Sequence, residues 1–363
     1  VEEVMANVFL VDLESVETRY TGQWKTHVPD LLQKAGHNVQ IISGPTDIPS
    51  ATTPGAFLNF GGTNIYKSAQ VEQMGRLFCD GAVRAGDHFI FTDAWHPGII
   101  NLKYMSELLQ IPVTIHALWH AGSYDPQDFL GRLIGDAKWV RHAEISFFSA
   151  VDHNYFATDF HIKLFAEVFA DGAEWWVKEQ LHTGKIVRSG WPMEYLDETL
   201  VPFKDIPKED IILFPHRIAP EKQLDIFKDL AAAMPEYQWV VAQEQQLTKK
   251  EYHELLGRSR IVFSANLQET LGISCYEALC VNAFPMMPNR LSYTEMYPQD
   301  FKYDSRWTES FDSYLTYKDR MIEYIRATMT ALKNQGHYET IVQTKDLVKS
   351  NFFTAEGILR NIK

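Results

Sequence analysis

Short runs of β-branched and aromatic residues alternate along the chain with longer stretches in which apolar residues recur every three or four positions. The first run is 7–13 (NVFLVDL). A polar loop with Gly22 follows, then a helical pattern through Val28, Leu31 and Leu32 that Ala35-Gly36-His37 stops, then a strand at 39–42 (VQII). Such a β-loop-α-β unit builds a parallel sheet. The pattern continues with a strand at 88–92 (HFIFT) after a helical stretch ending near Gly86, and one at 113–117 after a helix over 102–109. Strands at 145–149 (ISFFS) and 186–189 complete the half, the second following an aromatic helix around Trp175-Trp176. A doubly wound sheet is the expectation for this half. Trp191-Pro192, Pro202 and Pro207 interrupt the periodicity over 190–207 and mark a linker. Beyond it, strands at 211–214 (IILF), 238–242 (QWVVA), 261–264 (IVFS) and 283–286 (AFPM) alternate with helices at 224–234, 249–258 and 273–280. The two halves share an architecture but no sequence repeat.

At 363 residues and 45% apolar content the chain has material for two domains of roughly 150 to 200 residues each. The formal charge of −13 removes any large basic face for sequence-blind binding to a phosphate backbone, while leaving room for a locally basic cleft. Three cysteines, Cys79, Cys275 and Cys280, form no C-x-x-C pair, so neither a disulfide framework nor a zinc site of ordinary spacing is expected. No run reaches the ~18 apolar residues of a membrane span, and the first residues carry no basic leader. A soluble, cytoplasmic protein in a reducing compartment is the reading.

Ligands of doubly wound sheets bind outside the carboxyl ends of the strands, so the loops there are where chemistry is sought. After 211–214 the chain reads Pro215-His216-Arg217-Ile218-Ala219-Pro220-Glu221-Lys222, and after 261–264 it reads ANLQETLGISCYEAL over 265–279. A helix opening near 271–274 offers unpaired N–H groups and a positive dipole end to a phosphate, and Gly272 permits close approach of the backbone. Arg217 as a fork of donors and Lys222 as a point charge would neutralise a diphosphate. Glu277, one and a half turns into the helix, would repel a diphosphate unless it accepts from neutral hydroxyls such as those of a ribose, and Glu269 before the turn would face a sugar. The pattern asks for a nucleotide diphosphate sugar. The bland alternative for each of these side chains is an exposed surface charge.

Glu269 to Glu277 is an E-x7-E motif, and with Arg217 and Lys222 upstream it resembles the donor half of retaining GT-B glycosyltransferases of family four. The resemblance covers most of the chain. It implies two Rossmann-like domains facing a central cleft, an acceptor domain over 1–190, a donor domain over 191–345, and a final helix within 346–363 that crosses back to the first domain. It implies catalytic roles for His120, Arg217, Lys222 and Glu269, and donor contacts from Thr270, Leu271, Gly272, Ile273, Glu277 and Gly22. The chain has Thr21-Gly22 where the family often has a glycine pair. Gln23, Trp24, Asp93, Trp95, His96 and Tyr124 are the candidate acceptor contacts, although the 93–98 loop equally reads as a turn before a helix. His116 reads as strand-bound and structural, and His120 as the histidine of the loop after the strand.

No D-x-D pair occurs, so no metal and no further cofactor is expected. The family's front-face substitution needs no side-chain nucleophile. The stretches 215–217, 264–277 and 288–298 (PNRLSYTEMYP) also resemble enzymes that mannosylate queuosine in tRNA, and 116–126 (HALWHAGSYDP) resembles phage glycosyltransferases acting on hydroxymethylated bases. The acceptor expected is therefore a hydroxyl of a modified nucleobase, foremost 5-hydroxymethylcytosine in phage DNA within the host cytoplasm. The alternatives are tRNA queuosine, a small carbohydrate or lipid-linked acceptor, and sugar-nucleotide epimerisation or binding without transfer. Arg132, Lys138, Trp139, Arg141 and His142 interleave basic and aromatic character as a nucleic-acid contact would, though such a segment is more often a solvated helix face with one packed tryptophan. Of the adjacent Trp175 and Trp176, at least one is expected in the core.

Overall fold

The computed structural model describes residues 6–14, 20–51, 58–334 and 336–362. The chain divides into one unit made of Val1–Met193 and Thr354–Lys363, and a second made of Glu194–Phe353.

The first unit is built on a six-stranded sheet of β1 (Asn7–Val11), β2 (Asn38–Ile42), β3 (His88–Phe91), β4 (Thr114–Trp119), β5 (His153–Phe156) and β6 (Ile186–Arg188). The order is β2-β1-β3-β4-β5-β6 and every pairing is parallel. Helices cover the sheet, so β1 and β3 are apolar on both faces rather than alternating. These helices are α1 (Thr21–Lys34), α2 (Phe60–Cys79), α3 (Gly98–Leu108), α4 (Phe129–Ile134), α5 (Lys138–Ala150), α6 (Asp159–Phe169) and α7 (Glu174–Thr183). Phe9, Phe89, Phe91, Trp119, Phe156 and Phe165 form the centre of the core.

The second unit carries α8 (Tyr195–Leu200) and the strands β7 (Glu209–Phe214), β8 (Gln238–Val241), β9 (Ser259–Phe263), β10 (Phe284–Pro288) and β11 (Lys302–Tyr303). Their order is β11-β10-β9-β7-β8, again parallel, which is the connectivity of the first five strands of the first unit. The helices here are α9 (Leu224–Ala233), α10 (Lys249–Arg258), α11 (Ile273–Cys280), α12 (Tyr293–Met296), α13 (Phe311–Lys333) and α14 (Tyr338–Phe352). A capping box of Thr248 and Glu251 starts α10.

Four sequence expectations need correction. Residues 145–149 are helical, inside α5, and the strand lies at 153–156. The buried positions Val140, Glu144, Phe147 and Phe148 follow the helical period, which the apolar run ISFFS conceals. Gly22, Gln23 and Trp24 occupy the first turn of α1 rather than a loop. The expected last helix is two pieces: α14 ends at Phe352 in the second unit, and a short helix, α15 (Glu356–Leu359), belongs to the first unit. Gly357 makes that docking close, since a Cβ there would lie 2.8 Å from Ser189 Cα. Finally, β11 carries no recognisable run of its own. Trp176 packs on the core of the first unit while Trp175 is exposed, and Trp139 is exposed on α5 rather than packed. Among the described residues no helix is long and apolar enough to cross a membrane.

Candidate active site

In the second unit the two loops singled out by sequence leave the carboxyl ends of adjacent strands, β7 and β9, and are tied together. The backbone N–H of Leu267 donates to the Glu221 carbonyl oxygen at 2.8 Å. Lys222 is buried at the end of a single 3-10 turn, and its Nζ donates to the Gln268 carbonyl oxygen at 2.7 Å and lies 3.5 Å from Glu269 Oε2. Gln223 adopts a left-handed conformation (φ 53°), which turns the chain so that its Nε2 donates to the Ala265 and Thr308 carbonyls. Arg217 is one-third exposed, and its guanidinium donates to Glu221 Oε1 at 2.5 Å. Gln243 Oε1 accepts from the Ile218 N–H and holds the same loop from the β8 side.

The start of α11 has the expected form. Gly272 is its N-terminal cap at φ 70°, ψ 49°, a conformation that glycine adopts without the Cβ penalty. A Cβ there would also come within 2.8 Å of the Tyr293 ring. Tyr293 is fully buried, its hydroxyl 3.1 Å from Ser264 Oγ and accepting from Asn266 Nδ2 at 3.1 Å. Asn266 Nδ2 also reaches Glu269 Oε2 at 3.3 Å. Burial pushes the Glu269 carboxyl up, but Lys222, then His216, then the N–H groups of Gly272 and Leu271 hold it below the ordinary carboxylate value. Burial, then Lys222, push His216 down to about 3, so the ring is neutral. Its Nε2 and Asn266 Oδ1 are buried without a protein partner. Burial raises Glu277 to about 7, against a bond from the Tyr252 hydroxyl at 3.1 Å and the charge of Lys249. The side chains of Leu271 and Thr270 are buried, so what these residues can offer a ligand is backbone.

In the first unit the carboxyl ends of β1, β3, β4 and β6 bring together groups the sequence kept apart. His120 Nε2 donates to the Thr92 carbonyl oxygen at 2.5 Å and Nδ1 pairs with the Tyr20 hydroxyl at 2.5 Å. Its ring stacks on Tyr20 and packs against Trp24 and Trp191 at centroid distances of 5.7, 5.3 and 4.9 Å. Asp93 takes Lys67 Nζ at 2.6 Å, and Lys67 and then His120 hold it below the usual carboxylate range against its burial. Asp12 accepts from Tyr66 and Ser43 at 2.5 Å each and lies 3.1 Å from Lys25 Nζ. Glu14, three residues past β1, is buried with neither carboxyl oxygen bonded among the described residues. The Thr21 hydroxyl and the indole N–H groups of Trp24 and Trp191 are likewise buried and unpaired.

The acceptor candidates separate on burial. Gln23, Asp93 and Trp95 are partly exposed, Trp95 donating to Glu144 Oε1 at 3.1 Å. Trp24, His96 and Tyr124 are core side chains and present no surface to an acceptor. His96 is held by Gln70 Oε1 at 2.9 Å and by the Gly98 N–H, and burial drives it down to about 3. The Tyr124 hydroxyl is spent on His161 Nε2 at 2.6 Å. Their polar atoms suggested contact from sequence, but the sheet edge had to be sealed and large rings seal it. Sequence reasoning passed over Glu14, Tyr20, Lys67 and Trp191. Glu14 alone carried a local signal, an acidic residue just after the first strand.

No family model matches this sequence and no curated protein does. Solved structures do. The α,α-trehalose-phosphate synthase (UDP-forming) of Burkholderia vietnamiensis aligns with TM-score 0.57 and 11% identity over 99% of this chain and 98% of that one. The sucrose-phosphate synthase of Thermosynechococcus elongatus gives 0.56 and 11% over 98% and 96%. The catalytic domain of Arabidopsis thaliana starch synthase IV, bound to ADP and acarbose, gives 0.55 and 11% over 98% and 97%. The chain therefore has the GT-B glycosyltransferase fold along nearly its whole length.

Proposed function

We propose that the protein is a retaining glycosyltransferase that moves a sugar from a nucleotide diphosphate sugar to a hydroxyl of a modified nucleobase, foremost 5-hydroxymethylcytosine in phage DNA. The observation that carries the donor half is the convergence of Arg217, Lys222, Glu269 and the Gly272 end of α11 at the carboxyl edge of one sheet. As the bond from the anomeric carbon to the phosphate oxygen breaks, negative charge grows on the diphosphate. Arg217, Lys222 and the backbone N–H groups at α11 stand ready for that charge without reorganisation. The acceptor oxygen takes the anomeric carbon on the same face, and the departing phosphate oxygen takes the acceptor proton. Neither a side-chain nucleophile nor a metal is called upon. Glu277 accepts from the ribose hydroxyls, and Glu269 from the sugar. The fold, shared with a trehalose-phosphate synthase, a sucrose-phosphate synthase and a starch synthase, supports this assignment.

The base acceptor is supported by the resemblance of residues 116–126 and by exposed Trp139 beside Lys138 and His142, a surface on which a base can stack. A second reading, a small carbohydrate acceptor, is favoured by the fold shared with a starch synthase bound to ADP and acarbose and with a sucrose-phosphate synthase. The deciding experiment incubates the protein with UDP- and GDP-sugars and DNA containing 5-hydroxymethylcytosine, then weighs the nucleosides. A pentose or hexose mass on that nucleoside is the expected result. Nucleotide diphosphate released without it sends the acceptor to tRNA queuosine or to free sugars. Arg217→Ala and Lys222→Ala should each lower kcat/KM by on the order of 10²–10³ while the far-ultraviolet circular dichroism is kept. Unchanged turnover in either would overturn the donor site.

A further inference from the structure

A cavity of the donor-bearing unit lies at the end of its sheet opposite the Arg217 and Gly272 loops. It has a volume of 470 Å³, and its lining includes Lys204, Lys208, Arg260 and Lys333 together with Leu332, Tyr338 and Ile341. Lys208 immediately precedes β7, Arg260 is the second residue of β9, and Asn282, also on its wall, precedes β10. The cavity is thus at the amino ends of these strands, whereas the Arg217 and Gly272 loops leave the carboxyl ends. The length of β7 alone, six residues, separates them by about 20 Å.

Four basic side chains around one cavity are unexpected on a chain of formal charge −13. Asp210 pairs with Arg260 at 3.0 Å and with Lys333 at 2.5 Å. Asp205 is the one carboxylate on the wall itself. Lys208 Nζ donates to the Gly257 and Val281 carbonyl oxygens, both at 2.7 Å, which fixes it on the wall of the cavity. Burial, then the charge of Arg260, push that ammonium down to about 7. Carbonyl anchoring of one cation, beside a guanidinium and two further lysines, is the donor set that a phosphoryl group accepts from. The apolar lining residues Leu332 and Ile341 and the Tyr338 ring suit the body of an ester rather than a bare ion, and 470 Å³ is within the range of small-molecule sites.

We infer that this cavity is a second binding site, distinct from the donor site, for a phosphate monoester carrying a compact apolar or ring-bearing body. Titration calorimetry of the intact protein with phenyl phosphate and with inorganic phosphate, at constant ionic strength, tests it. Phenyl phosphate should bind one to one, more tightly than inorganic phosphate, and equally well in Lys222→Ala, which disables the donor site. Lys204→Gln and Lys333→Gln, both at solvent-reaching side chains, should each weaken it by on the order of tenfold. Three results overturn the inference: no binding, affinity no better than that of inorganic phosphate, or binding that Lys222→Ala abolishes while both cavity variants retain it.

Discussion

Glu277→Gln tests two things at once, the buried environment of Glu277 and its proposed contact with a ribose. The carboxyl sits one and a half turns into α11 and keeps its proton to about pH 7, because burial outweighs the Tyr252 hydroxyl and the charge of Lys249. In the unfolded chain it loses that proton near 4.5. Between those values the native state holds a proton that the unfolded state does not, so stability falls as pH rises. At 1.36 kcal/mol per unit over about 2.5 units, the carboxylate costs the fold about 3 kcal/mol by pH 8. Glutamine carries no such cost. The variant should therefore match the parent at pH 4.5 to 5 and exceed its melting temperature by roughly 6–12 °C at pH 8. Nucleotide binding should move the other way: UDP or GDP affinity of the parent rises through pH 7 as the carboxylate forms and can accept two ribose hydroxyls, and the variant loses both the affinity and its pH dependence. Differential scanning calorimetry from pH 5 to 8, with and without nucleotide, reads both. A stability difference that stays flat across that range refutes the assigned environment of Glu277. A stability difference that behaves as expected, with nucleotide affinity untouched, refutes the ribose contact alone.

Other perturbations follow from the same geometry. Gly272→Ala places a Cβ in the left-handed region and 2.8 Å from the locked Tyr293 ring; left-handed strain of ~1–2 kcal/mol and overpacking of ~1–3 kcal/mol should shift the urea midpoint clearly downward, and an unmoved midpoint would show the turn to be wrongly described. Glu14→Gln replaces a buried carboxyl that has no partner among the described residues by an amide of the same size, so the protein should gain on the order of 1 kcal/mol in thermal unfolding; a less stable variant would mean the carboxyl serves the fold. Burial depresses His96, His161 and His216 to about 3, His253 to about 4, and His116 well below its ordinary value. The unfolded chain protonates these rings near 6.5 and the native state does not, so stability is full above that pH and is lost as pH falls below it, by about 1.36 kcal/mol per unit for each ring. Calorimetry from pH 7 to 5 should show the melting temperature falling steeply, and a flat profile would contradict neutral burial of the rings.

The element types and the composition of the two candidate donor loops were legible in the chain because both are local. An apolar run flanked by turn residues encodes a strand, a recurrence of three to four encodes a helix, and Gly272 with Glu269 and Glu277 on either side lies within nine consecutive residues. Even there, locality misled once: Ile145 to Ser149 is apolar enough for a strand, and only its continuation of the Val140 and Glu144 period places it in α5. Tertiary structure decided what no window of sequence contains. It chose which large polar rings seal the sheet edge, putting Trp24, His96 and Tyr124 in the core and leaving Gln23, Asp93 and Trp95 toward solvent. It tied Lys222 to Gln268, 46 positions away, and packed Trp191 against His120. It also gathered Lys204, Lys208, Arg260 and Lys333 around one cavity, a convergence that depends on β7 and β9 lying side by side in parallel. Backbone periodicity is a property of neighbours in sequence, whereas burial, charge pairing and cavity lining are set by the order of strands in the sheet, which brings distant residues to one edge.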